Sequence, residues 1–252
     1  MSALLVSVRN AEEAVAAFSA GADVIDVKEP SRGSLGMADV ACRREVRAAL
    51  PDQAIVSVAL GEWNDVREMS EPSAFFGVSY RKVGLAGLGA HQSPFREFDR
   101  FRSRFIDTTP WIFVIYVDWE RALAPHPDQV VAAVLKSSRT VCAGVLIDTW
   151  EKSRPSPIEG DLPVWSARIQ RVRESGRFAA LAGRLDERSI ERLGRSARPD
   201  LFAVRGAACE AGDRLGAIEP ARVAKLVAAA RSCEPIGPPL FPKTAAPAYG
   251  RS

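Results

Sequence analysis

Apolar runs of strand length alternate with amphipathic segments of helix length almost from end to end of this chain. Leu4 to Val8 opens the series as a short predicted strand. Asn10 then offers an N-cap, with Glu13 three residues on to complete a capping box. Val15 and Phe18 share one helical face, and Gly21 stops that helix. Asp23 to Lys28 is the second predicted strand, followed by a loop at Gly33 to Gly36. Val40, Val46 and Leu50 then mark a helix ended by Pro51. Further strands are predicted at Ala54 to Leu60, Ser79 to Val83, Trp111 to Val117, Val141 to Ile147, Arg177 to Ala182 and Leu201 to Arg205. Helix faces lie between them at Phe98, Phe101 and Phe105, at Val130, Val131, Val134 and Leu135, and at Ile169 and Val172. Val223 to Ala230 is the closing helix.

Eight strands separated by helix-length segments predict an α/β fold, a single (β/α)8 TIM barrel. An open doubly wound sheet is the alternative, but no Gly-x-Gly-x-x-Gly turn follows the first strand. The 252 residues suit one barrel domain, expected over residues 1–234. Pro235 to Ser252 has five prolines and no periodicity, and reads as a flexible tail or a surface strap.

Composition narrows the function classes. The formal net charge of +3 comes from arginines scattered along the helices, which argues against a nucleic-acid partner. No run approaches the roughly 20 apolar residues that cross a bilayer, and the first residues lack a signal-peptide pattern. Cys42, Cys142, Cys209 and Cys233 are widely spaced, as expected of reduced thiols in a cytoplasmic protein. His91 and His126 have no partners at metal-ligand spacing, so no metal site is expected. Self-association is an expectation carried only by the habit of such barrels.

Chemistry concentrates where the predicted strands end. Asp26-Val27-Lys28, Lys82-Val83-Gly84 and Asp148-Thr149-Trp150-Glu151-Lys152 place three lysines and two aspartates there. In a barrel these ends and the loops beyond them build the active site. A lysine at the edge of a dry core is costly to hold, and Asp26 and Lys28, two apart, face the same side. One reading is a structural ion pair. The other makes Lys28 a nucleophilic amine with a lowered pKa and Asp26 a proton carrier. For Asp148 and Lys152 a surface salt bridge stands beside the functional reading. Phosphate candidates are Gly183 and Arg184 after the seventh strand and Arg205 and Gly206 after the eighth, where barrels often seat anions on backbone N–H groups. Ser34-Leu35-Gly36 is a third anion loop.

On these residues the chain resembles the (5-formylfuran-3-yl)methyl phosphate synthase family, also called 4-(hydroxymethyl)-2-furancarboxaldehyde-phosphate synthase. The resemblance runs through Gly21 to Pro30, Gly33-Ser34-Leu35-Gly36, Lys82-Val83-Gly84-Leu85, Asp148 to Lys152 and Ala182-Gly183, about the first 230 residues. It implies a lyase that needs no cofactor and joins two molecules of glyceraldehyde 3-phosphate into a phosphorylated furan aldehyde for methanofuran synthesis. It also implies that Lys28 forms a Schiff base, with Asp26, Lys82, Asp148 and Lys152 as the acid–base and phosphate-binding group. The partners are then small phosphorylated trioses. Another Schiff-base phosphosugar aldolase or isomerase on the same barrel, or a non-catalytic phosphometabolite-binding barrel, are the alternatives.

Overall fold

The computed structural model describes residues 1–67, 77–90, 109–153, 157–238 and 240–241, together with Phe95, Phe98 and Phe101. Eight parallel strands close into a barrel in chain order: β1 (Ala3–Val8), β2 (Val24–Val27), β3 (Ile55–Glu62), β4 (Tyr80–Gly84), β5 (Trp111–Tyr116), β6 (Cys142–Asp148), β7 (Phe178–Leu181) and β8 (Leu201–Val204). The α-helices whose bounds fall among the described residues are α1 (Ala11–Ser19), α2 (Val40–Ala49), α3 (Trp63–Val66), α4 (Pro127–Lys136), α5 (Leu162–Glu174), α6 (Glu187–Ser196) and α7 (Pro220–Arg231), and Phe95, Phe98 and Phe101 are helical as well. The predicted (β/α)8 barrel is the fold. Phe98 and Phe101 pack edge-on against Trp63 and Trp111, while Phe105 lies outside the described residues.

Successive residues of a strand point to opposite faces, so each strand feeds two cores. Leu4, Val6, Ile25, Val56 and Val145 pack beneath the helices. Leu5, Val24, Ile112, Val114, Leu146 and Ala180 fill the barrel. The predicted strand limits shift by only a few residues, but one shift matters. Arg205 falls past the end of β8, in the loop.

Asn10 caps α1 as expected, accepting a hydrogen bond from the Glu13 N–H at 2.8 Å. Glu13 does not complete a capping box with it. Its carboxylate accepts from the Arg9 N–H instead and pairs with Arg205.

The expected boundary at residue 234 is not a break in packing. Arg198 donates to the Glu234 and Pro235 carbonyls, and Arg173 donates to those of Ile236 and Pro238. Asp200, which pairs with Arg173, accepts from the Leu240 N–H. Phe241 then inserts between Tyr80 and Phe178, with ring centroids 5.8 and 5.1 Å away. Tyr80 and Phe178 begin β4 and β7, so this strap plugs the end of the barrel opposite the strand C-termini. Residues 242–252 lie outside the described residues.

Candidate active site

The C-terminal ends of the strands surround a cavity of about 470 Å3, lined on its floor and walls by Ser7, Lys28, Lys82, Leu146, Asp148 and Lys152. That volume lies in the range of roughly 300–1,000 Å3 typical of small-molecule sites.

Asp26 does not itself line the cavity but is bonded to two residues that do, Ser7 and Lys82. Ser7 on β1, Asp26 on β2 and Ser57 on β3 are register partners, which lines their side chains up across three neighbouring strands. Both serines donate to the carboxylate, Ser7 at 2.9 Å and Ser57 at 2.7 Å. From β4, Lys82 Nζ reaches the same carboxylate at 2.6 Å. Asp26 is wholly buried and Lys82 nearly so, and a buried charge needs such partners to persist. The structure thus brings Asp26 and Lys82 together directly, although 56 residues separate them (82 minus 26).

Lys28 lies one residue past β2, half-buried, with its Nζ 3.5 Å from the Ser34 carbonyl oxygen. Its pKa is lowered to about 7. Burial is the largest cause, because the charged ammonium loses water; the Lys82 charge adds to it, and Asp26 and Asp148 oppose it. A large fraction of this amine is therefore unprotonated near neutrality.

The Asp148 carboxylate ends β6 and holds Lys152 Nζ at 2.5 Å. It also accepts from the Thr149 N–H at 2.8 Å and from the Ser34 hydroxyl at 3.4 Å. Burial pushes the Asp148 carboxyl up, but Lys152, Lys28 and the Thr149 N–H outweigh it and leave the group below the ordinary range. Asp118 fixes the loop that carries Lys152, accepting from the Trp150 and Glu151 N–H groups at 2.7 and 2.9 Å.

The phosphate candidates divide. Gly183, Arg184 and Gly206 line the cavity. Gly183 has φ +107 and Arg184 φ +57, so two successive residues are held in left-handed backbone, which for a residue other than glycine is strained. Ser34 reaches the site through its hydroxyl and carbonyl. Gly36 does not line the cavity. It closes the loop by accepting the Glu29 N–H at 2.8 Å, and a Cβ there would stand 2.1 Å from the Glu29 oxygen. Arg205 also lines the cavity, but its hydrogen bonds are already taken. Its five N–H groups go to Glu13 (two bonds) and to the carbonyls of Ser7, Arg214 and Gly216, leaving no donor for a phosphate.

Several site residues carried no sequence signal of their own. Ser7 and Ser57 are polar interruptions at inward strand positions, a cue legible only once the register is known. Glu62, at the end of β3, accepts from the Tyr116 hydroxyl at 2.6 Å and from the Ala86 N–H at 2.8 Å. Burial raises the Glu62 carboxyl, and burial with the nearby Glu62 charge raises the Tyr116 phenol. Tyr116 is the register partner of Asp148, so this pair borders the lysine cluster. Arg214 also lines the cavity. Among the described residues no group of three or more His, Cys, Asp or Glu could hold a metal ion, and no helix is long and apolar enough to cross a membrane.

The family model described as 4-HFC-P synthase matches residues 4–227. The (5-formylfuran-3-yl)methyl phosphate synthase of Methanosarcina barkeri is 31% identical over 236 residues, covering 89% of this chain and 97% of the relative. The protein of the same name from Methanopyrus kandleri is 32% identical, with 90% and 98% covered. Among solved structures, phosphoribosyl anthranilate isomerase from Thermotoga maritima superposes with a TM-score of 0.65 over 92% of this chain and all of that one. At 15% identity that likeness concerns the barrel alone.

Proposed function

The chain belongs to the 4-HFC-P synthase family, a family of synthases, and on that footing we propose that it condenses two molecules of glyceraldehyde 3-phosphate through a Schiff base on Lys28. The product is (5-formylfuran-3-yl)methyl phosphate, and one phosphate and two waters leave. Supply of this furan to methanofuran synthesis belongs to the same proposal.

One observation carries the reading. The Lys28 amine has a pKa of about 7 and stands in the cavity with Lys82–Asp26 and Lys152–Asp148 as neighbours. An uncharged amine attacks the aldehyde carbon, and loss of water gives an iminium that draws electrons from the adjacent carbon. The proton on that carbon then leaves, and the resulting carbanion attacks the second triose. Repeated proton transfers need acids and bases within reach, the role assigned to Asp148, Lys152, Asp26 and Lys82. Gly183, Arg184 and Gly206 are assigned to a phosphate, with Ser34 closing over the amine.

Borohydride reduction in the presence of glyceraldehyde 3-phosphate tests the proposal. A covalent adduct on Lys28 is expected, and the furan aldehyde is expected to accumulate without borohydride. Near-normal turnover by Lys28→Arg would remove the Schiff base, since a guanidinium makes no imine. An adduct without a furan chromophore would point instead to another Schiff-base aldolase or isomerase.

A further inference from the structure

Of the two arginines that line the cavity after β8, Arg205 has its N–H groups taken and Arg214 keeps some free among the described residues. Arg214 lines the cavity and is half-buried. Its Nη2 donates to the carbonyls of Pro30 and Gly33, both at 3.1 Å, which ties the guanidinium to the loop after β2. Its Nε and Nη1 make no hydrogen bond among the described residues. The neighbouring Asp213 carboxylate accepts from the Leu215 N–H at 2.9 Å. Arg184 has a matching anchor elsewhere, its Nη1 donating to the Lys152 carbonyl in the loop after β6 at 3.3 Å.

In a closed barrel of eight strands in chain order, β2 and β6 are four strands apart in either direction. Arg184 and Arg214 leave the loops after the adjacent strands β7 and β8, and their guanidiniums reach apart, Arg184 toward the loop after β6 and Arg214 toward the loop after β2. Arg214 is oriented by two backbone carbonyls and Arg184 by one, and each keeps N–H groups for an anion, the arrangement in which arginine grips phosphate well. The proposed reaction brings two phosphate esters together, each carrying about −1.5 to −2 charges if it titrates as phosphorylated side chains do. Like charges repel, so two separate grips suit it better than one.

We propose that Arg214, with the Gly206–Ala207 turn, holds the phosphate of one triose on the β2 side, while Gly183 and Arg184 hold that of the other on the β6 side. This rests on the reaction proposed above and assigns its two substrate subsites.

Two half-saturation concentrations test it: that of glyceraldehyde 3-phosphate for borohydride trapping, which needs only the triose on Lys28, and that for furan formation, which needs both. A charge-assisted hydrogen bond of about 1.5–3 kcal/mol corresponds to a shift of roughly 10- to 150-fold. Arg214→Ala is expected to shift one of the two steps by that much, and Arg184→Ala the other. Inorganic phosphate is expected to lose its competition at the affected step only. Arg214→Lys is expected to recover part of the loss. A merely structural role, in which Arg214 steadies the loop beside Lys28, would instead move the pH dependence of trapping, and that result overturns the proposal. So does a shift of the same step by both variants, or no shift for Arg214→Ala in a protein whose wild type is active. A wild type that forms neither adduct nor furan overturns the underlying reaction, and this assignment with it.

Discussion

Lys82 and Asp26 meet at 2.6 Å across the barrel interior, from β4 and β2, with almost no exposure to water on either side chain. Lys82→Met leaves the Asp26 carboxylate with its two serine donors but no opposite charge within contact. Removing one partner of a buried pair costs about 3–5 kcal/mol. That loss is expected in denaturant unfolding at neutral pH. Stability within about 1 kcal/mol of wild type would mean that the serines alone satisfy the carboxylate.

The Lys28 amine sets a pH limit. Below about 7 it is protonated and cannot attack a carbonyl, so trapping and turnover are expected to fall as pH drops through that value. A pH series of borohydride trapping checks this, and an adduct yield unchanged between roughly pH 6 and pH 8 would sink it. Stability carries the matching sign. The unfolded lysine titrates near 10.4, so between the two values the unfolded chain binds the extra proton and this group's contribution rises with pH. Lys28→Met is expected to flatten that slope.

Gly84 is bare because Glu62 crosses over it. A Cβ at position 84 would stand 2.1 Å from Glu62 Oε2, which displaces the carboxyl from Tyr116 and Ala86. Gly84→Ala is expected to cost about 1–3 kcal/mol, the penalty of buried polar groups left unpaired. In a Glu62→Ala background the same change is expected to cost far less, because the pair is coupled. Equal costs in both backgrounds, measured by denaturant unfolding, would show that Glu62 is not what Gly84 accommodates.

Arg184 and Arg205 are expected to part company. Arg184→Gly relieves a left-handed residue, worth about 1–2 kcal/mol, so stability is expected to rise while KM rises as well. Arg205→Ala strips a buried partner from Glu13 and is expected to lose about 3–5 kcal/mol with KM nearly unchanged in the protein that remains folded. Calorimetry beside steady-state kinetics separates the two. A raised KM for Arg205→Ala at wild-type stability would restore it as a phosphate ligand.

Phe241 closes the far end of the barrel from the cavity. Phe241→Ala is expected to cost about 3 kcal/mol, the lower end for a buried aromatic. Turnover at a temperature where the variant stays folded is expected to match wild type. A fall in turnover there without a fall in stability would mean the strap communicates with the mouth.

The alternation of runs made the barrel legible, since a strand followed by a helix has few ways to bury both apolar faces. The lysine and aspartate cluster was legible because charges at strand ends stand out against apolar runs. What one dimension hides is register and loop closure. Arg205 follows its strand just as Arg184 does, yet it turns toward Glu13, a partner 192 residues away in sequence. Arg214, Glu62 and Tyr116 sit in loops or strand ends with ordinary neighbours, and only the closed sheet brings them to the mouth. A surface strap was one of the two readings of the Pro-rich tail, but where it docks was hidden for another reason. Its anchors, Arg173, Arg198 and Asp200, are spread over other elements and bond mostly to its backbone, which leaves no pattern in the tail itself.

Asp26 takes its bonds from three other strands at once, and Lys28 owes its low basicity to the dry surroundings that those strands enclose. A partly assembled chain, with helices formed but β4 undocked, would carry an ordinary, fully charged lysine and be chemically silent. Regain of adduct formation during renaturation should consequently lag the return of the far-ultraviolet signal. The reactive amine then reports the docking of β4 between β3 and β5.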